Sequence, residues 1–356
     1  LLPKNSPRAL VIYSIEALHY FLKGKLDQFS NMTHHSRYWE SVEIARLLNA
    51  RGYIVDYYHS KGYPKIEWKK YELVIDCLDN LKDAPGISGQ VKVFYSCSNH
   101  WIPWNFAELQ RTKMFYDRTG IAVPTNRQIP PIASDEYADV LTYFGTDLQI
   151  QSFHPKPKRV QLNISSVFIP AFQKKNITEA RNKFLWLGGG GMIHKGADLV
   201  IEAFAQLSNA HLYFAGDMED QLEFWKWAQP MVTAHSNIHY LGFMDVTSSQ
   251  FAAIADTCIG VVYASAAEGG PGSVAQALHF GLIPLVTPSS FVRAEVLGYH
   301  IAGSTDKEII QSIVEQVTLV MNLPEKELQQ KSDSVREFAL KYHTRPAYTE
   351  SFERLL

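Results

Sequence analysis

The chain is poor in several features that mark whole classes of protein. It has three cysteines in 356 residues, Cys77, Cys97 and Cys258. None belongs to a C-x-x-C pair and the count is odd, which argues against a disulfide framework or a zinc site and favours a reducing compartment. No apolar run approaches the roughly 20 residues of a membrane-spanning helix. The net charge is only −2, so the basic excess of a nucleic-acid binder is missing and no nucleic-acid partner is expected. The short run KPKR (156–159) reads as a solvated linker. Three N-x-[ST] sequons, at Asn31, Asn163 and Asn176, are weak motifs. The chain starts at Leu1 without a methionine, which leaves a preceding segment open.

Two phosphate-binding fingerprints are also lacking. The stretch FLWLGGGGMIHKGADLV (184–200) places four glycines before Lys195. A Walker A loop would follow that lysine with Ser or Thr, but Gly196 stands there. A dinucleotide G-x-G-x-x-G would need glycine where Ile193 or His194 stands. An oxidoreductase is therefore disfavoured. The plainer reading of the glycines is a tight turn between strand and helix.

Hydrophobic residues make up 46% of the chain and charged residues 20%, as a packed globular protein requires. At about 100–200 residues per domain, two or three domains are expected. In the first half, short apolar runs at 9–14, 53–59, 71–78, 91–97 and 138–145 read as strands. Helical periodicity falls at 36–52 and 105–120, each closed by a glycine. The second half repeats the theme. Strands are expected at 183–189, 210–217, 237–244, 259–265 and 283–287, and helices at 197–207, 248–258 and 272–281. The join falls near 155–176, and the polar tail 324–356 reads as helical, interrupted near Pro346. Such alternation implies α/β architecture with parallel sheets covered on both faces. Ligands of such sheets lie beyond the carboxyl ends of the strands.

One segment breaks the pattern. Residues 15–36, rich in aromatics, His and Lys, form a long insertion between the first strand and the first helix. Long insertions of this kind are often functional; a surface excursion is the alternative.

The second informative stretch is SAAEGGPGSVAQALHFGLIPLVT (265–287). Glu268 precedes Gly269, Gly270, Pro271 and Gly272, and a helix follows. The glycines admit a ligand close to the backbone, and a helix N-terminus suits an anion. Glu268 either accepts from sugar hydroxyls or merely caps the helix.

Together, LGGGGMIHKG and EGGPGSVAQALHFGLIPLV resemble the donor domain of GT-B glycosyltransferases, in particular glycosyltransferase family 4. The likeness is good over about 183–290 and looser elsewhere. It implies two Rossmann-like doubly wound domains facing a cleft. Residues 1–172 would form the acceptor-side domain, with a C-terminal helix at about 340–356 packing back on it, and 173–339 the nucleotide-sugar donor domain. It further implies a retaining, metal-independent transfer of sugar from a nucleotide-diphosphate sugar to a glycan, lipid-linked or other hydroxyl acceptor. No metal and no cofactor are expected, the nucleotide sugar being a co-substrate, and no D-x-D pair stands at a strand end.

By position, Lys195 would pair with the donor diphosphate, and the turn Gly188–Gly191 (Gly189, Gly190 and Gly191 included) would approach it. Glu268 would hold hydroxyls of the transferred sugar. Gly269, Gly270, Gly272 and Ser273 would line the sugar and phosphates, with Gly242 and Phe243 near the base. Two positions depart from the family pattern. Gly190 replaces the usual turn arginine, and Gln276 replaces the glutamate that binds ribose. Gln keeps an acceptor and adds donors. His194, or an arginine from the N-terminal half, is expected to replace the lost cation. The departures keep open a degenerate domain that binds a nucleotide sugar or a partner without turnover. A relative with phosphate as acceptor is a further enzyme reading.

On the acceptor side, YSCSNHWIPWNFAELQR (95–111) follows a strand and resembles a His-bearing segment of some family-4 relatives. His100 is expected to project into the cleft, near the transferred sugar or acceptor. Trp101 and Trp104 either stack on a sugar ring or pack in the core. The expected setting is cytoplasmic. Peripheral contact with the inner membrane face rests only on the aromatic and basic insertion at 17–39.

Overall fold

The computed structural model describes residues 2–14, 23, 35–171, 173–219, 221–292 and 297–356. Most of the insertion at 15–36, with the membrane contact expected of 17–39, lies outside them. The chain divides into two compact units. The first comprises residues 1–100, 130–167 and 344–356; the second comprises 101–129 and 168–343.

The first unit holds a six-stranded parallel sheet of β1 (Arg8–Tyr13), β2 (Ile54–His59), β3 (Leu73–Asp76), β4 (Val91–Tyr95), β5 (Val140–Tyr143) and β6 (Lys158–Gln161), in the order 2-1-3-4-5-6. Alternate residues of β1 enter different clusters. Ala9, Val11 and Tyr13 pack on one face, and Leu10 and Ile12 on the other. Both faces are thus covered, which is why the strand reads as a continuous apolar run. Helix α1 (Ser36–Ala50) carries Ile44, Leu47 and Leu48 into the first of these clusters.

The KPKR run is not a linker throughout. Lys158 begins β6, paired to β5 in register Lys158↔Val140, with Val160 buried. An edge strand buries only part of its surface, so its charged residues hid it.

The second unit repeats the design with β7 (Lys183–Leu187), β8 (His211–Ala215), β9 (Ile238–Gly242), β10 (Gly260–Tyr263), β11 (Ile283–Val286) and β12 (Tyr299–His300), in the order 12-11-10-7-8-9. The two-residue β12 is too short to leave a sequence signal. The chain builds outward from β7 through β8 to β9, then returns to the other side of β7 with β10. The switch point of this sheet therefore lies between β7 and β10. Trp186 on β7 stacks on Phe214 of β8 at 4.2 Å.

Helix α2 (Trp101–Thr119) and the following residues to 129 group with this second unit, not with the N-terminal half in which the sequence division at 172 places them. The helix starts four residues earlier than its periodicity suggests; Pro103 is tolerated because first-turn amides need no helical partner. Phe115 is fully buried in the second unit's core. Arg118 ion-pairs with Asp198 at 2.6 Å, with Glu202 at 2.8 Å and with Asp306.

The tail forms α3 (Glu325–Tyr342) and α4 (Arg345–Glu353). The expected interruption near Pro346 is there: His343 and Thr344 separate the two helices, and Pro346 stands in the first turn of α4, as proline can. Residues 344–356 belong to the first unit. Tyr348 meets Trp39 edge-on at 5.6 Å, and Thr349 donates to Glu43 at 2.6 Å. Among the described residues, no helix is long and apolar enough to cross a membrane, and no group of three His, Cys, Asp or Glu could hold a metal.

Candidate functional site

The loops after β7 and β10 meet at the switch point. Ala266 N–H donates to His194 O at 2.7 Å, which ties one loop to the other. Gly196 makes the approach possible. Its φ is +71°, and a Cβ there would fall 2.3 Å from the Ala264 carbonyl oxygen. Gly188 is equally confined, since a Cβ would sit 2.5 Å from the Trp186 ring. Gly189 and Gly190, by contrast, face open space, with nothing within 4 Å of an added Cβ. The four glycines thus divide into structural and accessible members.

Lys195 and Glu268 come together here. Lys195 Nζ donates to Glu268 Oε1 at 3.0 Å and to the Tyr263 hydroxyl at 2.6 Å. The Tyr263 hydroxyl donates to Glu268 Oε1 at 2.7 Å, and Ser265 Oγ donates to it at 3.2 Å. All three bonds fall on Oε1, so Oε2 has no hydrogen-bond partner among the described residues. Tyr263 ends β10 and left no signal in the sequence beyond its strand. Ser273 stands at the start of α5 (Gly272–Leu278). Gly269 and Gly270 link Glu268 to this short helix.

Burial raises the Glu268 carboxyl, but the charges of Lys195 and Arg127, that of His194 once acid protonates it, and the Tyr263 bond outweigh it and hold the group at about 2. Burial also pushes Lys195 down, against the opposing pull of Glu268. Glu268 is 6% exposed, so the pair is ionised in a site with little solvent.

One expectation needs correction on this geometry, and one pair of alternatives is decided. His194 donates from Nε2 to Ala267 O at 2.7 Å, and burial takes its pKa down to about 4. It is uncharged at neutral pH and cannot replace the lost turn arginine. Trp104 is core: its indole donates to Arg127 O and its ring lies 4.6 Å from the His194 ring. It does not offer a free face for a sugar. Trp101 is partly exposed at the start of α2.

Gln276 is also committed. Its Nε2 donates to Phe168 O at 2.6 Å and its Oε1 accepts from Phe168 N–H at 3.1 Å. Gly242 ends β9 with φ +67° and accepts from Gly216 N–H at 2.9 Å, and Phe243 is 65% exposed. His100 belongs to the first unit. Its Nε2 stands 4.0 Å from Asp135 Oδ2 and its ring meets Phe153 edge-on, with burial pushing its pKa down.

The residue that sequence reasoning could not name is Arg127. It lies in an irregular segment without motif or periodicity, yet a Cβ on Gly191 would be 2.6 Å from its Cγ.

Residues 169–336 match the family described as Glycosyl transferases group 1. This span is similar to group 1 glycosyl transferases. The site just described lies in it, apart from the α2 segment that carries Arg127. No curated protein matches the chain. Solved structures share its fold at low identity. Sucrose-phosphate synthase from Thermosynechococcus elongatus has a TM-score of 0.61 at 11% identity, covering 98% of each chain. Anabaena HepE, in complex with UDP and glucose, has 0.58 at 11% identity, covering 98% of this chain and 99% of that one. The pneumococcal O-GlcNAc transferase GtfA, in complex with UDP and GlcNAc, has 0.51 at 15% identity, covering 80% of this chain. This chain spans 56% of the length of GtfA. The matched span thus lies in a chain with GT-B architecture.

Proposed function

We propose that the protein transfers a sugar from a nucleoside-diphosphate sugar to a hydroxyl acceptor, with retention and without a metal ion. The observation that carries this reading is the buried Lys195–Glu268 pair beside the accessible glycines 189 and 190. Lys195 supplies positive charge for a diphosphate, and the free Oε2 of Glu268 accepts from hydroxyls of the transferred sugar. The C1–O bond to the β-phosphate breaks and its electron pair stays on the phosphate oxygen. The acceptor oxygen bonds C1 from the same face, and its proton passes to the departing phosphate. Fixed cations stabilise the charge where it develops, with no reorganisation at the moment of reaction. The acceptor is a glycan or a lipid-linked hydroxyl. The free thiols fit a reducing, cytoplasmic setting.

Calorimetric titration of UDP, GDP and ADP tests the reading. One diphosphate binds wild type, and Lys195→Ala weakens it by about 1.5–3 kcal/mol, the range for a charged hydrogen bond. Donor hydrolysis persists in EDTA. Binding of no nucleotide would sink the proposal.

One observation favours a second reading, a domain that binds the nucleotide without turnover. The Gln276 amide is bonded to Phe168 through both Nε2 and Oε1, so a ribose hydroxyl must share the acceptor expected of that position. Tight binding with no donor consumed, whatever the acceptor, would establish it.

A further inference from the structure

The carboxyl end of β7 carries more positive charge than its carboxylate neutralises. Lys195 and Arg127 both act on Glu268, but only Lys195 pairs with it. Among the described residues the Arg127 guanidinium forms no ion pair, and its Nε is buried without a hydrogen-bond partner. A cation in that state is short of an anion.

Arg127 is held in place from both sides of its backbone. The buried Glu108 of α2 accepts from Asn126 N–H at 3.0 Å and Arg127 N–H at 2.7 Å, and from the Gln128 side chain at 2.8 Å. Trp104 donates to Arg127 O. Asn105 brackets Ile129, accepting from its N–H and donating to its O, both at 2.8 Å. The side chain is confined as well. Its stem fills the space beside Gly191, where φ is +74°, and its guanidinium lies 5.5 Å from the Trp104 ring centre. Ordering a long side chain costs entropy; here packing has already supplied that order. Gly191 directly follows Gly189 and Gly190, which face open space.

We propose that Arg127 grips the donor diphosphate alongside Lys195, as the second cation of the site, although it comes from a distant part of the chain. This rests on the nucleoside-diphosphate reading above. A guanidinium offers a planar fork to phosphate oxygens where lysine offers a point charge. The two cations therefore divide the work, Arg127 orienting the diphosphate and Lys195 neutralising it near Glu268.

The test is calorimetry with UDP, GDP and ADP and the matching monophosphates, on wild type, Arg127→Met, Arg127→Lys and Lys195→Ala. Methionine keeps a stem against Gly191 and Trp104. Each variant is used only if its melting temperature matches wild type, with Arg127→Gln as the substitute for one that fails. For the diphosphate that binds wild type, Arg127→Met weakens affinity about 10- to 100-fold, as loss of a charged hydrogen bond does. The monophosphate changes less than about threefold, and Arg127→Lys recovers part of the loss. Equal weakening of mono- and diphosphate, or no weakening, would make Arg127 a packing residue and overturn the proposal. If Lys195→Ala weakens the diphosphate while Arg127→Met does not, this inference fails and the site reading stands. If no nucleotide binds wild type, both fall together.

Discussion

Two buried glutamates, one in each unit, have opposite fates. Glu40 is 2% exposed and accepts from the Tyr13 hydroxyl at 2.9 Å and Ser165 Oγ at 2.7 Å. Glu268 also accepts from a tyrosine and a serine, but Lys195 joins them. Desolvation is the largest influence on both. It wins at Glu40, whose pKa is raised, and loses at Glu268, which falls to about 2. Arg37 attracts Glu40, yet its hydrogen bonds go to Cys97 O and Ser14 Oγ. Burial with hydroxyl donors makes a structural acceptor; burial with a directly bonded cation makes an ionised group with an oxygen to spare.

Glu268→Gln breaks the comparison most severely. It strands Lys195 as a buried charge, so stability should fall by about 3 kcal/mol or more in urea denaturation, the scale for breaking a buried pair. A change below about 1 kcal/mol would mean that the pair is solvated.

Acid should come next. Burial puts His194 at about 4, against 6.5 for the free side chain. Between those values the unfolded chain binds a proton that the folded chain refuses, so stability rises with pH there. It is complete above pH 6.5 and lost as pH falls towards 4, by roughly 3 kcal/mol. Glu268 continues the loss from 4.5 towards 2, since its folded pKa is depressed. His194→Gln should flatten the upper window only, read as urea midpoints across pH.

Glu40→Gln gives the smallest effect and the sharpest contrast. A raised carboxyl favours its proton in the folded state, so its contribution is present below pH 4.5 and is lost as pH rises through the folded pKa. Substitution should change stability at neutral pH by less than about 1 kcal/mol, as neutral hydrogen-bonded swaps do, and leave donor affinity unchanged. A loss matching that of Glu268→Gln would erase the distinction.

Local signals made the interior strands legible and singled out Lys195 and Glu268, though not their pairing. Buried parallel strands are apolar throughout, and glycines must stand where loops touch ligand or backbone. Edges and long-range placements were not legible. β6 is half charged, and β12 is two residues long. Arg127 sits in a coil whose position is set by Glu108, Trp104 and Asn105 on a neighbouring helix, a relation invisible to periodicity. His194 was misjudged for a similar reason, because its charge depends on burial and not on its neighbours in sequence.

The grouping of residues 101–129 with 168–343 bears on how such chains can be recombined. A single crossover near 170 would carry off the glycine turn and Glu268 but leave behind Phe115, Arg118 and Arg127. The recipient would inherit a core with a hole, three unanswered acidic groups and a Lys195–Glu268 site without Arg127. A transplantable donor module is therefore discontinuous in sequence. Exchanging this unit between relatives would require moving two segments together.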